Sequence, residues 1–281
     1  MSRDVTPDIR EMDSEPDRPN DPNRHRPDRE HPERDHPGRD RFSPQEKESL
    51  FDIGRFRTVA VQDLAYHRYS GKNQELERDL QSLLALGLVQ RRTALVANGR
   101  YKLTVLVLTK AGKRAAESHR ANTEQSIYAG FVKPGEVAHD AAIYRMFHKE
   151  AARIEGQKGT IKRVVLDYEL KRRVYSPLAK ARVQSPALSP GEYARLQEKV
   201  ARENHLKVVN GKIPLPDLRI EYQTATGETA RVDLELATHH YHGSHLREKV
   251  EAGFKLYGDA AATRRSPVFE EPEITASILS L

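Results

Sequence analysis

The chain has no cysteine, no tryptophan and only three methionines, and aromatic residues make up 6% of it. Without cysteine there is no disulfide framework, no thiolate nucleophile, no cysteine-based zinc site and no iron–sulfur cluster. Any metal must be held by carboxylates or histidines, and a reducing, cytoplasmic setting is the expectation. Long apolar runs are missing as well. No purely aliphatic run exceeds that from Val105 to Leu108, far short of the ~20 residues of a membrane helix. Charges stand near the N-terminus where a signal peptide has its apolar stretch, so the chain reads as soluble, unexported and without a membrane partner. Only 37% of its 281 residues are hydrophobic against 31% charged, which indicates that part of the chain builds no core.

That part is the N-terminus. Residues 1–42 hold 12 acidic residues, 9 arginines, 3 histidines and 7 prolines, with Met1, Val5, Ile9, Met12 and Phe42 scattered among them. Such a segment cannot bury enough surface to offset the entropy of ordering and is expected to be disordered. Its net charge is −3, so the remaining 239 residues carry +9 of the chain's +6 total. An acidic tail on a basic body can compete with a polyanion for the same surface, or serve as a solubilising extension.

Residues 43–122 have a different texture. Ser43-Pro44 is a cap with a first-turn proline, followed by Leu50, Ile53 and Phe56 at near-helical spacing. A second short helix fits Thr58 to Tyr66. Leu76, Leu80, Leu83 and Leu84 mark a third, ended by Gly87. Asn98-Gly99 is a hairpin signal between Leu88-Val89 and Tyr101 to Leu108, and a last helix begins at Thr109. Three helices, a hairpin and a closing helix make a winged helix. Leu83-Leu84-Ala85-Leu86-Gly87-Leu88-Val89, followed by Leu108-Thr109-Lys110-Ala111-Gly112, resembles the winged helix-turn-helix domains of many bacterial DNA-binding proteins, which dock the third helix in the major groove and the wing on the backbone. Here the third helix carries Lys72 and Arg78 against Glu75, Glu77 and Asp79, a net of −1, whereas Arg91, Arg92, Arg100 and Lys102 make the wing basic. The wing is therefore the expected phosphate contact. Dimerisation or domain packing is the alternative use of such a domain.

A linker (123–134) leads to a second domain (135–260) and a C-terminal tail (261–281). A helix is expected from about Glu136 to Ile154, a strand from Ile161 to Leu170, and a helix from the Ser189-Pro190-Gly191-Glu192 capping box through Val200. Between Lys158 and Arg182 the basic residues, among them Lys171, Arg172 and Arg173, face only Asp167 and Glu169. This is a positive ridge of nearly one sign.

Two strands then alternate apolar and polar residues, Leu215 to Tyr222 and Thr229 to Leu236. A three-residue loop with Gly227 left-handed pairs residues whose numbers add to 452. Leu218 then opposes Leu234, Ile220 opposes Val232 and Tyr222 opposes Ala230, while the other face pairs Arg219 with Asp233, Glu221 with Arg231 and Asp217 with Glu235. Asp217, Glu235 and Asp233 would repel one another unless a cation or proton sat among them. Their oxygens suit Mg²⁺ or Mn²⁺. The bland alternative is an exposed hairpin face with its acidic chains in water.

Pro216-Asp217, a hairpin and Asp233-Leu234-Glu235 resemble the PD-(D/E)xK restriction-endonuclease-like superfamily. With the winged helix before them, and Leu246-Arg247-Glu248-Lys249 and Tyr257 after, they are more specifically similar to the replication-relaxation proteins of plasmids and other bacterial mobile elements, over about residues 45–258. The resemblance implies an α/β (α+β) chain with a mixed-sheet nuclease-like domain. It also implies double-stranded DNA as partner, work in replication, mobilisation or relaxation beside replication or mobilisation proteins, and Asp217 with Asp233 or Glu235 as metal carboxylates. The superfamily's lysine is absent: Glu235 follows Asp233 at that spacing, and Ala237 follows Glu235. Lys249, on a helix expected from Ser244 to Gly258, could replace it from the flank of that helix's apolar stripe. In the catalytic version Lys249 stabilises the attacking water or the phosphate. Without it the domain grips DNA but does not cut.

His239, His240, His242 and His245 lie between that strand and helix, as metal ligands, DNA contacts or a polar loop. His139, Asp140 and Glu150 are accessory candidates from the earlier helix, with packing as the alternative. Three functions stay open: a DNA-binding protein with a degenerate nuclease-like domain, an active Mg²⁺-dependent endonuclease or nickase, and a protein–protein adaptor using its winged helix.

Overall fold

A computed structural model describes residues 42–96, 99–119, 124–131, 133–238, 243–258 and 278–281; the acidic tail through Arg41 and the tip residue Asn98 lie outside them. The winged helix is present. Helices α1 (Pro44–Phe56), α2 (Val61–Tyr69) and α3 (Asn73–Ala85) precede the hairpin β2 (Val89–Val96) and β3 (Tyr101–Leu108), and α4 (Lys110–His119) closes it. Ser43 and Glu46 form the reciprocal cap of α1. A two-residue strand, β1 (Val59–Ala60), pairs antiparallel with β3 ahead of α2, so the second helix starts three residues later than the sequence predicts.

The two motif pieces of this domain explain each other. Thr109 donates its backbone N–H to Leu88 O at 2.9 Å and its hydroxyl to Gly87 O at 2.7 Å, and its Oγ1 accepts from Gly112 N at 3.0 Å. A Cβ on Gly112 would lie 1.9 Å from Leu88 O. The base of the wing and the first turn of α4 are thus in backbone contact.

The expected linker is packed. Ile127 is 2% exposed in the core, Tyr128 N donates to Gly54 O at 2.8 Å, and the Gln125 side chain exchanges hydrogen bonds with the backbone of Val164 at 2.8 and 2.9 Å.

Next come α5 (Val137–Gly156), β4 (Thr160–Leu166), α6 (Asp167–Gln184), α7 (Pro190–Glu203), β5 (Leu218–Gln223), β6 (Thr229–Ala237), α8 (Gly243–Ala252), β7 (Lys255–Gly258) and β8 (Ile278–Ser280). The second sheet runs β4-β5-β6-β7-β8, antiparallel across its first three strands and parallel across the last three. The hairpin register is the predicted one, with Leu218 opposite Leu234 and Arg219 opposite Asp233. Because successive side chains alternate faces, Val164, Leu218, Ile220, Leu234 and Leu236 turn to one side. There they share a core with Ile143, Tyr144 and Phe147 of α5 and with Leu50, Ile53 and Phe56 of α1. One core thus runs from the winged helix through α5 onto the sheet. Val165 turns the other way and packs with Leu170, Val174 and Leu178 of α6 and Val200 of α7.

Three expectations are corrected. The strand expected to reach Leu170 ends at Leu166, because Asp167 and Glu169 open α6 at the helix end that favours negative charge. The helix expected to reach Gly258 stops at Ala252, with Gly253 left-handed at φ 91°; Phe254 follows it and Tyr257 belongs to β7. The tail is not wholly featureless, since Ile278–Ser280 adds a parallel strand to β7.

Candidate functional site

The polar face of the β5–β6 hairpin is buried at one end, although Arg231 at the other is exposed. Glu235 is fully buried and Arg219 is 3% exposed. Asp233, expected in a metal set, is taken by Arg219 in a two-pronged pair at 2.6 and 2.8 Å. The same guanidinium donates to Asn204 O at 2.7 Å and to His205 O at 3.3 Å. Arg219 therefore ties the end of α7 to the sheet, and Asp233 neutralises it there.

Asp217, Glu235 and Lys249 do come together. Asp217 stands just before β5, and its backbone N–H donates to Oε2 of Glu235 at 3.2 Å. Oδ2 of Asp217 accepts the Leu236 N–H at 2.9 Å and lies 3.3 Å from Nε2 of His139 on α5. Lys249 reaches back from α8: its Nζ is 2.7 Å from Oε1 of Glu235 and donates to Leu215 O at 2.7 Å. His139 also approaches Asp140, at 3.5 Å. Burial opposes charge on its ring, but hydrogen bonds to Asp140 and Asp217 outweigh that effect and hold it up at about 10. Each site carboxylate thus has a cationic neighbour.

Asp217, Glu235 and Lys249 form the floor of a cleft of about 760 Å³. Its walls come from α6 (Lys171, Tyr175, Arg182), α7 (Tyr193, Gln197) and the stretch Lys212 to Leu215. Asn210 and Gly211 are both left-handed, at φ 49° and 71°, and Val209 and Lys212 pair across them; this is the geometry that an Asn-Gly pair favours. Gln197 donates to Gly211 O at 3.0 Å and braces this turn on α7.

Among the described residues no three His, Asp or Glu side chains are grouped to hold a metal. Asp217 and Glu235 still fit a hard cation by donor chemistry, because Mg²⁺ is commonly held by one or two carboxylates, with waters and substrate phosphate completing its shell. Loading would compete with His139 and Lys249 for those oxygens. Glu150 sits elsewhere, bonded to Tyr257 OH at 2.7 Å, Lys255 Nζ at 2.9 Å and Arg153 at 2.6 Å. His245 is exposed at the start of α8, and His239, His240 and His242 lie outside the described residues.

The second surface is the winged helix. Asp79, counted against α3 from the sequence, faces inward: it is 6% exposed and accepts from Tyr69 OH at 3.2 Å, and it touches exposed Arg78 at 3.2 Å. Glu77 is matched from the wing by Arg91 at 2.8 Å. The outer face of α3 is thus less acidic than its letters suggest. Arg92, Arg100 and Lys102 are exposed on the wing. On α6, Lys171 is paired with Asp167, Arg173 with Glu169, and Arg172 is exposed.

The sequence gives no direct sign of Arg219's tether or of the α6–α7 wall. The i, i+4, i+8 spacing of Leu170, Val174 and Leu178 is the signal that would have found α6.

The chain matches no protein-family model. It matches no curated protein in sequence. Among solved structures it is similar to Bacillus subtilis PadR in complex with operator DNA, at 15% identity and a TM-score of 0.22, over 57% of this chain and 92% of that one.

Proposed function

We propose that the protein binds double-stranded DNA through its winged helix. In this reading it serves the replication, mobilisation or relaxation of a plasmid or other mobile element, and its mixed-sheet half is a restriction-endonuclease-like domain. The observation that carries the reading is the meeting of Asp217, Glu235 and Lys249 at the floor of one cleft, in a chain that also holds a winged helix with a basic wing. Duplex DNA is the chemical match for the wing, since neutralising phosphates supplies most of the sequence-independent affinity. Replacing Arg91, Arg92, Arg100 and Lys102 together by alanine is expected to weaken duplex retention at least tenfold; unchanged retention contradicts the reading.

One observation favours cleavage over mere binding. Lys249 pairs with Glu235 from a different element, and in this reading it supplies the lysine that the sequence motif lacks. A bound Mg²⁺ would polarise a phosphate oxygen and acidify water. Asp217 and Glu235 would hold it. Lys249 would place positive charge where the phosphate gathers negative charge, and His139 would keep Asp217 oriented. Incubating supercoiled plasmid with protein and Mg²⁺ or Mn²⁺ tests this. Nicking lost in both Asp217→Ala and Glu235→Ala supports the enzyme, and nicking that persists in either removes the site from the reaction.

A further inference from the structure

We infer that the α6–α7 cleft receives an unpaired DNA strand, with Tyr175 and Tyr193 as its base-stacking surfaces; this rests on the reading of the protein as DNA-binding. Three observations carry it. The site carboxylates lie at the floor of a recess, with Glu235 fully buried. A cleft of about 760 Å³ is the size that encloses a small ligand. A strand with splayed bases can enter such a recess, whereas a stacked duplex presents its phosphates on the outside of a rod. The walls also combine the two groups that single strands require, aromatic faces and cations. Tyr175 is 49% exposed on α6, and the guanidinium of Arg182 lies 4.3 Å from the Tyr193 ring centre, a flat cation on which a base can also stack. Lys212 adds a cation to the lining, while Lys171 is paired with Asp167 beside it. Finally, the recess does not stop at this pair. Arg182 and Tyr193 line both the cleft and a neighbouring pocket of about 510 Å³ bounded by Ser185, Leu188 and Pro190. They form a saddle over which a chain longer than one nucleotide can run from the carboxylates outward.

The test is fluorescence anisotropy on the full chain, without divalent metal. It uses a labelled 12-nucleotide single strand and the duplex of the same sequence, against wild type, Tyr175→Ala/Tyr193→Ala, Tyr175→Phe/Tyr193→Phe and the wing quadruple variant. The alanine pair is expected to lose single-strand affinity by on the order of tenfold or more while duplex affinity stays as in wild type. The phenylalanine pair, which keeps both rings, is expected to hold the single strand as wild type does. The wing variant is expected to lose duplex affinity only. Unchanged single-strand affinity in the alanine pair overturns the inference, as does an equal loss for both DNA forms or a loss in the phenylalanine pair. Duplex binding by wild type without single-strand binding overturns this inference and leaves the duplex reading intact; absence of both overturns both.

Discussion

Nζ of Lys249, on α8, lies 2.7 Å from Oε1 of Glu235, at the buried centre of the sheet. Glu235 has no exposure and the lysine side chain is 18% exposed, so neither charge is well hydrated without the other. Lys249→Ala would leave a buried carboxylate without its cation, and such breaks cost ~3 kcal/mol or more. Urea denaturation is expected to show that loss for Lys249→Ala and to show much of it recovered in Glu235→Gln/Lys249→Met, where neither charge remains. A double variant no better than the single one contradicts a direct pair.

A second buried charge joins the winged helix to α5. Asp52 is fully buried and accepts from Arg55 at 2.9 Å, from Arg68 at 2.6 Å and from the Tyr144 hydroxyl at 2.8 Å. Burial pushes its carboxyl up, but the two guanidiniums and Tyr144 outweigh that and hold it below the usual carboxylate range. Asp52→Ala is expected to cost ~3 kcal/mol. Hydrogen exchange should show amides of both α1 and α5 losing protection, because Tyr144 belongs to α5; protection lost in α1 alone contradicts the link.

Gly112 has no room for a methyl group, since its Cβ would lie 1.9 Å from Leu88 O. That atom is backbone and already accepts from Thr109, so α4 must move away. Gly112→Ala is expected to destabilise by ~3 kcal/mol, whereas Gly135→Ala, with nothing within 4 Å of its Cβ, is expected to stay within ~0.5 kcal/mol. Equal midpoints in denaturant for the two variants contradict the close approach.

Two histidines bias stability in opposite directions with pH. His148 stacks on His67 at 4.0 Å, and burial, with His67 beside it, pushes it down to about 3. Its native pKa is below the ordinary 6.5, so the unfolded chain takes up a proton that the native state refuses. Its contribution is present above 6.5 and is lost as pH falls toward 3. His139, held at about 10, contributes fully below 6.5 and loses that contribution as pH rises through 10. Melting temperature measured against pH should fall less steeply below 6.5 in His148→Phe, and less steeply between 6.5 and 10 in His139→Gln. A His148→Phe acid limb identical to wild type contradicts the first assignment.

Much of the fold is written locally. Ser43 and Ser189 with their glutamates cap α1 and α7 as their letters say, and the alternation around Gly227 fixes the β5–β6 register. What escaped is what depends on neighbours distant in sequence. Helix α6 buries a stripe of only three residues in an otherwise basic segment and contains Pro177. Strand β7 is four residues long, with Tyr257 at a spacing that also continues the helix before it. The hairpin's polar face reads as solvent-facing, but Arg219 is buried there, holding Asp233 and the backbone just after α7. The Lys249 contact was legible only as a lysine on a helix flank.

If the winged helix holds duplex DNA by neutralising phosphates, as proposed, its affinity must depend steeply on salt. Binding of a labelled duplex, followed from 50 to 300 mM salt, is expected to weaken along a line of log affinity against log salt, with a slope of about −0.9 per phosphate neutralised. Arg91→Ala/Arg92→Ala/Arg100→Ala/Lys102→Ala should flatten that slope by up to about 3.6, if each of the four neutralises one phosphate. A wild-type affinity that does not change with salt, or a slope that survives loss of the four wing cations, contradicts the account.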